Sequence, residues 1–290
     1  MQTRLALASV AAARDLDDDL APLEAALHDA GIQTRIVDWD DASADWSSFD
    51  AVLLRSTWDY TERLTEFLTW CERVSAVSTL LNPLDVVRWN TDKHYLRDLS
   101  ERGIATVESH FIEPGNDAGA FPDFAEFVVK PTVSAGSRDT QRYVRAERDA
   151  AIAHVQRLID ANRAVLIQPY LAAVDSEGET ALLFFDGVFS HAIRKGPLLR
   201  RGAGPTTELF APEQITPRTP SPAERELAEQ VIRSMPFPTP TYARVDLLPS
   251  PDGPKLLELE LTEPSLFLHT AEGAAARLAE VVASRLQRIE

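Results

Sequence analysis

Along the first part of the chain, short apolar runs alternate with polar stretches that carry apolar residues at helical spacing. Residues 4–8, 33–37, 51–55 and 79–81 read as strands, and residues 18–29 and 64–77 as helices between them. Strands alternating with helices predict an α/β layer with a largely parallel sheet. Ligands collect at the carboxyl ends of such strands. That makes Arg55-Ser-Thr-Trp-Asp-Tyr60 a candidate substrate loop, with Arg55 to hold a carboxylate or phosphoryl group and Trp58, Asp59 and Tyr60 to shape a pocket. A helix-capping turn, with Ser56 or Thr57 as the cap, accounts for the same residues.

Further on the pattern mixes helices with antiparallel strands. A helix is expected over residues 90–103, with Asp92 and Lys93 in its first turn, where a lysine opposes the helix dipole unless an anion is near. A strand over 127–130 runs into Pro131-Thr-Val-Ser-Ala-Gly-Ser137, a loop of small residues beside the strand-end Lys130. Small side chains at Ser134, Gly136 and Ser137 let backbone N–H groups approach phosphate oxygens, while a lysine neutralises charge between phosphates. The glycine spacing is not that of a Walker loop, and a plain hairpin connection remains open. A helix over 149–162 leads to a strand over 165–168. Pro169-Tyr-Leu171 follows, where a proline that interrupts pairing exposes backbone groups able to bond an adenine ring. Glu179 stands at the start of a hairpin, 181–185 and 188–194, turning at Gly187; it suits ribose hydroxyls or plain solvation. The segment 195–222, rich in Pro, Gly and charge and containing Arg200 and Arg201, has the length of a lid or a mobile loop. Helices over 222–234 and 272–287 read as packing elements.

The richest chemistry lies in Tyr242-Ala-Arg-Val-Asp-Leu-Leu248 and Leu256-Leu-Glu-Leu-Glu-Leu261. Side chains alternate faces along a strand, so Arg244 and Asp246 share one face and Glu258 and Glu260 share another. The intervening Pro249-Ser-Pro-Asp-Gly-Pro254 reads as a hairpin turn that joins them. Converging acids repel, and hard oxygen ligands beside an arginine suit Mg²⁺ carrying a phosphate. A solvated sheet edge gives the same alternation.

Composition narrows the partners. The 290 residues should divide into two or three units. A net charge of −16 disfavours nucleic acid and anionic membrane, so an anionic substrate needs locally gathered Lys and Arg. Cys71 is the only cysteine, which excludes an internal disulfide or a multi-cysteine metal site and fits a reducing, cytoplasmic setting. No run is apolar for long enough to cross a bilayer. The apolar start followed by Asp15 and Asp17 to Asp19 reads as a strand entering a helix rather than a signal peptide.

Taken in order, Asn82-Pro83, Asp92-Lys93, Val128-Val-Lys-Pro131 with its loop, Gln168-Pro-Tyr-Leu171, Gly178-Glu179, Arg244-Val-Asp246 and Glu258-Leu-Glu260 resemble the ATP-grasp ligases. The likeness implies an ATP-grasp fold, α+β in its C-terminal part, behind an N-terminal Rossmann-like α/β domain. Its expected divisions are residues 1–89, 90–168 and 169–290. It implies ATP and Mg²⁺ as cofactors, with Mn²⁺ able to replace the latter. Lys93 and Lys130 become phosphate ligands, Gln168, Pro169, Tyr170 and Leu171 the adenine contact, and Glu179 a ribose contact. Asp246, Glu258 and Glu260 become metal ligands, with Arg244 beside the transferring phosphate and Arg201 or Arg200 loosely matched to an acyl-phosphate contact. Glu260 departs from the asparagine often found at the last metal position. Within the family the chain is most similar to the cyclo-ligase branch that closes O-ureido-D-serine into D-cycloserine. An amide ligase joining a small acid to a separate amine, and a non-catalytic nucleotide-binding module, are the rival readings. A small amino-acid-like substrate is expected, and self-association stays open.

Overall fold

The computed structural model describes residues 3–199, 202, 204 and 214–288; the expected contacts Arg200 and Arg201 lie outside the described residues. Three sheets follow one another in chain order. The first contains β1 (Arg4–Ser9), β2 (Gln33–Asp38), β3 (Ala51–Leu54) and β4 (Thr79–Leu81), all parallel, in the order β2-β1-β3-β4. β1 and β3 are buried along almost their whole length, as expected for central parallel strands covered on both faces. The helix Leu20–Asp29 packs beside the C-terminal helix Ala274–Gln287, and Phe67, Trp70, Cys71 and Val74 of Leu64–Ser75 fill a second core with Trp39. Cys71 is a packed core residue whose thiol is pushed up by burial.

The second sheet is antiparallel, in the order β5-β8-β6-β7, from β5 (His110–Ile112), β6 (Glu126–Pro131), β7 (Gln141–Val144) and β8 (Val165–Pro169). Its apolar face is covered by the helix Arg148–Asp160 through Val155, Leu158 and Ile159. The third sheet takes the order β11-β10-β9-β12-β13, from β9 (Glu179–Phe185), β10 (Val188–Lys195), β11 (Ile215–Pro217), β12 (Tyr242–Leu248) and β13 (Lys255–Glu260). One face joins the first sheet's core, where Leu183, Phe185 and Tyr242 meet Leu5, Leu53 and Leu278. The other is covered by Pro222–Ser234. That helix starts sharply because Ser221 and Glu224 form a reciprocal capping box with a proline in the first turn.

The helix expected over 90–103 is shortened to Tyr95–Glu101, and a separate helix, Leu84–Asn90, ends where it was expected to begin. Long-range bonds prevent continuity. The Lys93 N–H donates to Thr132 O at 3.0 Å, and the Asn90 side chain donates to Leu259 O at 2.7 Å and accepts from the Leu261 N–H at 2.6 Å. Lys93 therefore sits in a break pinned between the second and third sheets.

Candidate active site

That break opens onto a cleft. Among the expected site residues, all except Arg55 and the undescribed Arg201 line it: Lys93 and Lys130, the loop residues Ser134, Gly136 and Ser137, the Gln168–Leu171 segment, Glu179, Arg244 and the three acids. Trp58 and Tyr60 close one side. Asp59 turns away to accept from the Trp39 indole at 2.8 Å and from Arg63 at 3.0 Å.

The two lysines come from different elements. The Lys93 ammonium donates to Ser134 O and pairs with Glu258 Oε1, each at 2.9 Å. Lys130, near the end of β6, is buried, and burial pushes its ammonium down to about 8, with Glu258 opposing the shift and Lys93 adding to it. The loop that follows Lys130 turns through positive φ at Gly136 and Ser137, both near 59°. Beyond β8, Tyr170 is held by its N–H to Glu126 O at 2.9 Å, and the Arg142 guanidinium lies 3.4 Å from its ring centroid.

The β12–β13 hairpin forms, and its register sets Arg244 opposite Glu260 and Asp246 opposite Glu258. Arg244 donates to both Asp246 oxygens, at 2.9 Å and 2.8 Å, and also pairs with Glu260. Lys195 bridges Asp246 at 2.6 Å and Glu179 at 2.8 Å. Burial opposes charge on Asp246, but Arg244 and Lys195 outweigh it and hold the carboxyl below its ordinary range. Glu258 is held low in the same way by Lys93 and Lys130 against its burial. One guanidinium does not neutralise two acids. Glu260 is pushed up to about 8 by burial, with repulsion from Glu258 and Asp246 offsetting the pull of Arg244.

No described acids, histidines or cysteines close on one point as a formed metal cluster; Asp246, Glu258 and Glu260 are each drawn to a cation instead. The donor set still suits a hard divalent ion. Among the described residues the lining sets Lys93, Lys130, Lys195 and Arg244 against Glu179, Asp246, Glu258, Glu260 and Glu263, an excess of carboxylate that leaves Glu260 reluctant to ionise.

Arg55 is a correction. It is 1% exposed and outside the cleft, held by Asp17 at 3.5 Å and Asp19 at 3.4 Å, and it donates to Pro264 O at 3.2 Å. Asp19 in turn accepts from the N–H groups of Leu266 at 2.5 Å and Leu268 at 2.7 Å. Arg55 thus fastens the segment that carries Ser265 and Phe267 to the cleft wall. Two charged lining residues were not anticipated. Lys195 is the register partner of Glu179 across the β9–β10 hairpin only because the register shifts by one between Phe189 and His191; regular counting from Gly187 would have pointed to Arg194. Glu263 lies just past β13, where no periodicity points to it.

Comparison with known proteins places this geometry. A family model described as the D-cycloserine synthetase DcsG N-terminal domain matches residues 5–82. The cycloserine biosynthesis protein DcsG of Streptomyces lavendulae is 41% identical over 98% of this chain and 99% of its own. The chain belongs to the DcsG family. The crystal structure of D-cycloserine synthetase DcsG matches this DcsG-family chain with a TM-score of 0.91 at 40% identity, covering 98% of this chain and 99% of that one. D-alanine–D-alanine ligase from Bacillus anthracis shares the fold at 15% identity, with a TM-score of 0.67 over 100% of this chain and 98% of that one. The ATP-grasp ligase PsnB, complexed with its minimal precursor, does so at 16% identity and 0.65 over the whole of both chains. The DcsG-family chain has the α/β ATP-grasp fold and is an ATP-grasp ligase of the cycloserine-biosynthesis family. None of its described helices is long and apolar enough to cross a membrane.

Proposed function

We propose that the protein is an ATP-dependent cyclo-ligase that activates the carboxylate of O-ureido-D-serine as an acyl phosphate and closes it to D-cycloserine. Activation and ring closure release ADP and phosphate, and one water then cleaves the carbamoyl group from the ring nitrogen as carbon dioxide and ammonia. The observation that carries this reading is the convergence on one cleft of two lysines from separate elements with the acids of the β12–β13 hairpin.

In this reading Lys93 and Lys130 hold the phosphates of ATP, over the small-residue loop that includes Ser134, Gly136 and Ser137. Gln168, Pro169, Tyr170 and Leu171 receive the adenine, and Glu179 the ribose. Asp246, Glu258 and Glu260 would hold Mg²⁺, which offsets charge on the phosphate oxygens when bound. Arg244 lies beside the group in transfer, and the substrate carboxylate displaces ADP in line. The acyl phosphate is then attacked by a nitrogen of the same molecule. Holding both ends in one cleft supplies the large effective molarity of an intramolecular reaction, and excluding water protects the intermediate.

The test is protein with Mg-ATP and O-ureido-D-serine and no added amine, followed for ADP and ring. One ring per ADP is expected. ADP release that requires an added amine would instead indicate an amide ligase. ATP binding without turnover would indicate a non-catalytic module.

A further inference from the structure

Among the described residues, Glu263 is the one cleft acid with no lysine or arginine at ion-pair distance. Glu179 has Lys195, Asp246 has Arg244 and Lys195, Glu258 has Lys93, and Glu260 has Arg244. Yet Glu263 is only 7% exposed. Its position is fixed from both sides. The Trp58 indole donates to its backbone carbonyl at 3.1 Å, Arg55 donates to the next carbonyl, and the Tyr60 hydroxyl donates to its carboxylate. The wall that carries it is therefore built by the Trp58–Glu62 turn and the segment after β13.

A nearly dry carboxylate without a cation is costly to keep charged. Burial pushes Glu263 up to about 7, partly checked by the Tyr60 hydroxyl; of the other charged groups facing it, Lys93 favours the charge and Glu258 opposes it. Tyr242, the remaining titratable neighbour, is buried and neutral.

Ring closure needs a proton acceptor. Glu179, Asp246, Glu258 and Glu260 are each paired with a lysine or arginine, and Lys130 is itself a cation, so Glu263 is the cleft acid left to take a proton. We infer that Glu263, oriented by Tyr60, is the general base that removes the proton from the attacking nitrogen. The inference rests on the ring-closing reading above. As the N–C bond forms, the nitrogen's proton passes to the Glu263 carboxylate. The acyl C–O bond breaks, its electron pair leaving on inorganic phosphate, and Glu263 then returns the proton to solvent. No electron transfer is involved.

The experiment measures ADP and ring product for wild type, Glu263→Gln and Tyr60→Phe, with hydroxylamine present to trap acyl phosphate. In Glu263→Gln, ADP formation should continue with hydroxamate accumulating, while ring formation falls by ~10²–10⁴-fold. The acid limb of the ring-formation pH profile should vanish in Glu263→Gln and move to higher pH in Tyr60→Phe, which loses the hydrogen bond that favours the carboxylate. A Glu263→Gln protein that keeps one ring per ADP overturns the inference, whether its rate is unchanged or only its KM rises as for a lost ammonium anchor. If that variant fails to fold, Tyr60→Phe decides, and an unmoved limb overturns it. Wild type that makes no ring removes the parent reading and the inference together, whereas wild-type ring formation with an unaffected variant removes the inference alone.

Discussion

Asp246 and Glu258 are register partners across the β12–β13 hairpin, yet their carboxylates are held by different cations: Arg244 and Lys195 take Asp246, and Lys93 takes Glu258. The pairing keeps a dense group of acids folded before any ligand arrives. It also makes Glu258 a link between the hairpin and the lysine that the reading assigns to phosphate. Glu258→Gln should lower ADP formation by at least ~100-fold, with an unchanged circular dichroism spectrum because the amide keeps the shape. Wild-type ADP release from this variant would take Glu258 out of the reacting centre.

Stability should fall with rising pH when no divalent ion is present. Glu260 has a folded value of about 8, and Glu263 of about 7, both raised by burial above the ordinary value of 4.5. Between those limits the folded chain holds more protons than the unfolded one, so the stabilisation is complete below about 4.5 and is lost as pH climbs through about 7 to 8. Melting temperature in chelator should drop between pH 6 and pH 8, above which the lowered Lys130 ammonium acts in the opposite sense. Glu260→Gln should flatten the slope, and Mg-nucleotide should raise stability most at the alkaline end. A slope that Glu260→Gln leaves intact would assign it to other groups.

Arg55→Met tests the buried clamp. Removing the guanidinium leaves Asp17 and Asp19 uncompensated in the interior, a loss of about 3–5 kcal/mol. Denaturant unfolding should show it. Arg55→Lys should recover only part, because one ammonium does not reach both the acids and Pro264 O in the same geometry. A loss under about 1 kcal/mol would mean that the clamp is dispensable.

Much of this was legible in the chain because strand periodicity is local. The alternation in Tyr242–Leu248 put Arg244 and Asp246 on one face, and the proline-rich turn joined them to Glu258 and Glu260. What stayed hidden was set at long range. An arginine at a strand end reads alike whether it faces a ligand or, as Arg55 does, acids far back in the sequence. The break at Lys93 depends on Thr132 and on Leu259 and Leu261, which no window around residue 93 contains. Lys195 read as the start of an irregular segment because a one-residue register shift between Phe189 and His191, which no pattern signals, is what pairs it with Glu179. The three-residue strand His110–Ile112 was too short to give a period.

Gly178 positions Glu179 at the mouth of β9. Its φ is +77°, and a Cβ there would lie 2.5 Å from the Lys195 carbonyl oxygen. Gly178→Ala should destabilise the fold by about 1–3 kcal/mol through backbone strain and weaken ATP binding by displacing the Glu179–Lys195 pair. Calorimetric titration with ATP checks the second effect. Unchanged stability and affinity would show that the turn relaxes without cost.

The central claim is that the substrate carboxylate itself attacks ATP. It is tested most directly with O-ureido-D-serine carrying ¹⁸O in both carboxylate oxygens, followed by mass spectrometry of the released phosphate. The account predicts one ¹⁸O in each phosphate formed, in step with ring product. Unlabelled phosphate accompanying ring formation would contradict it.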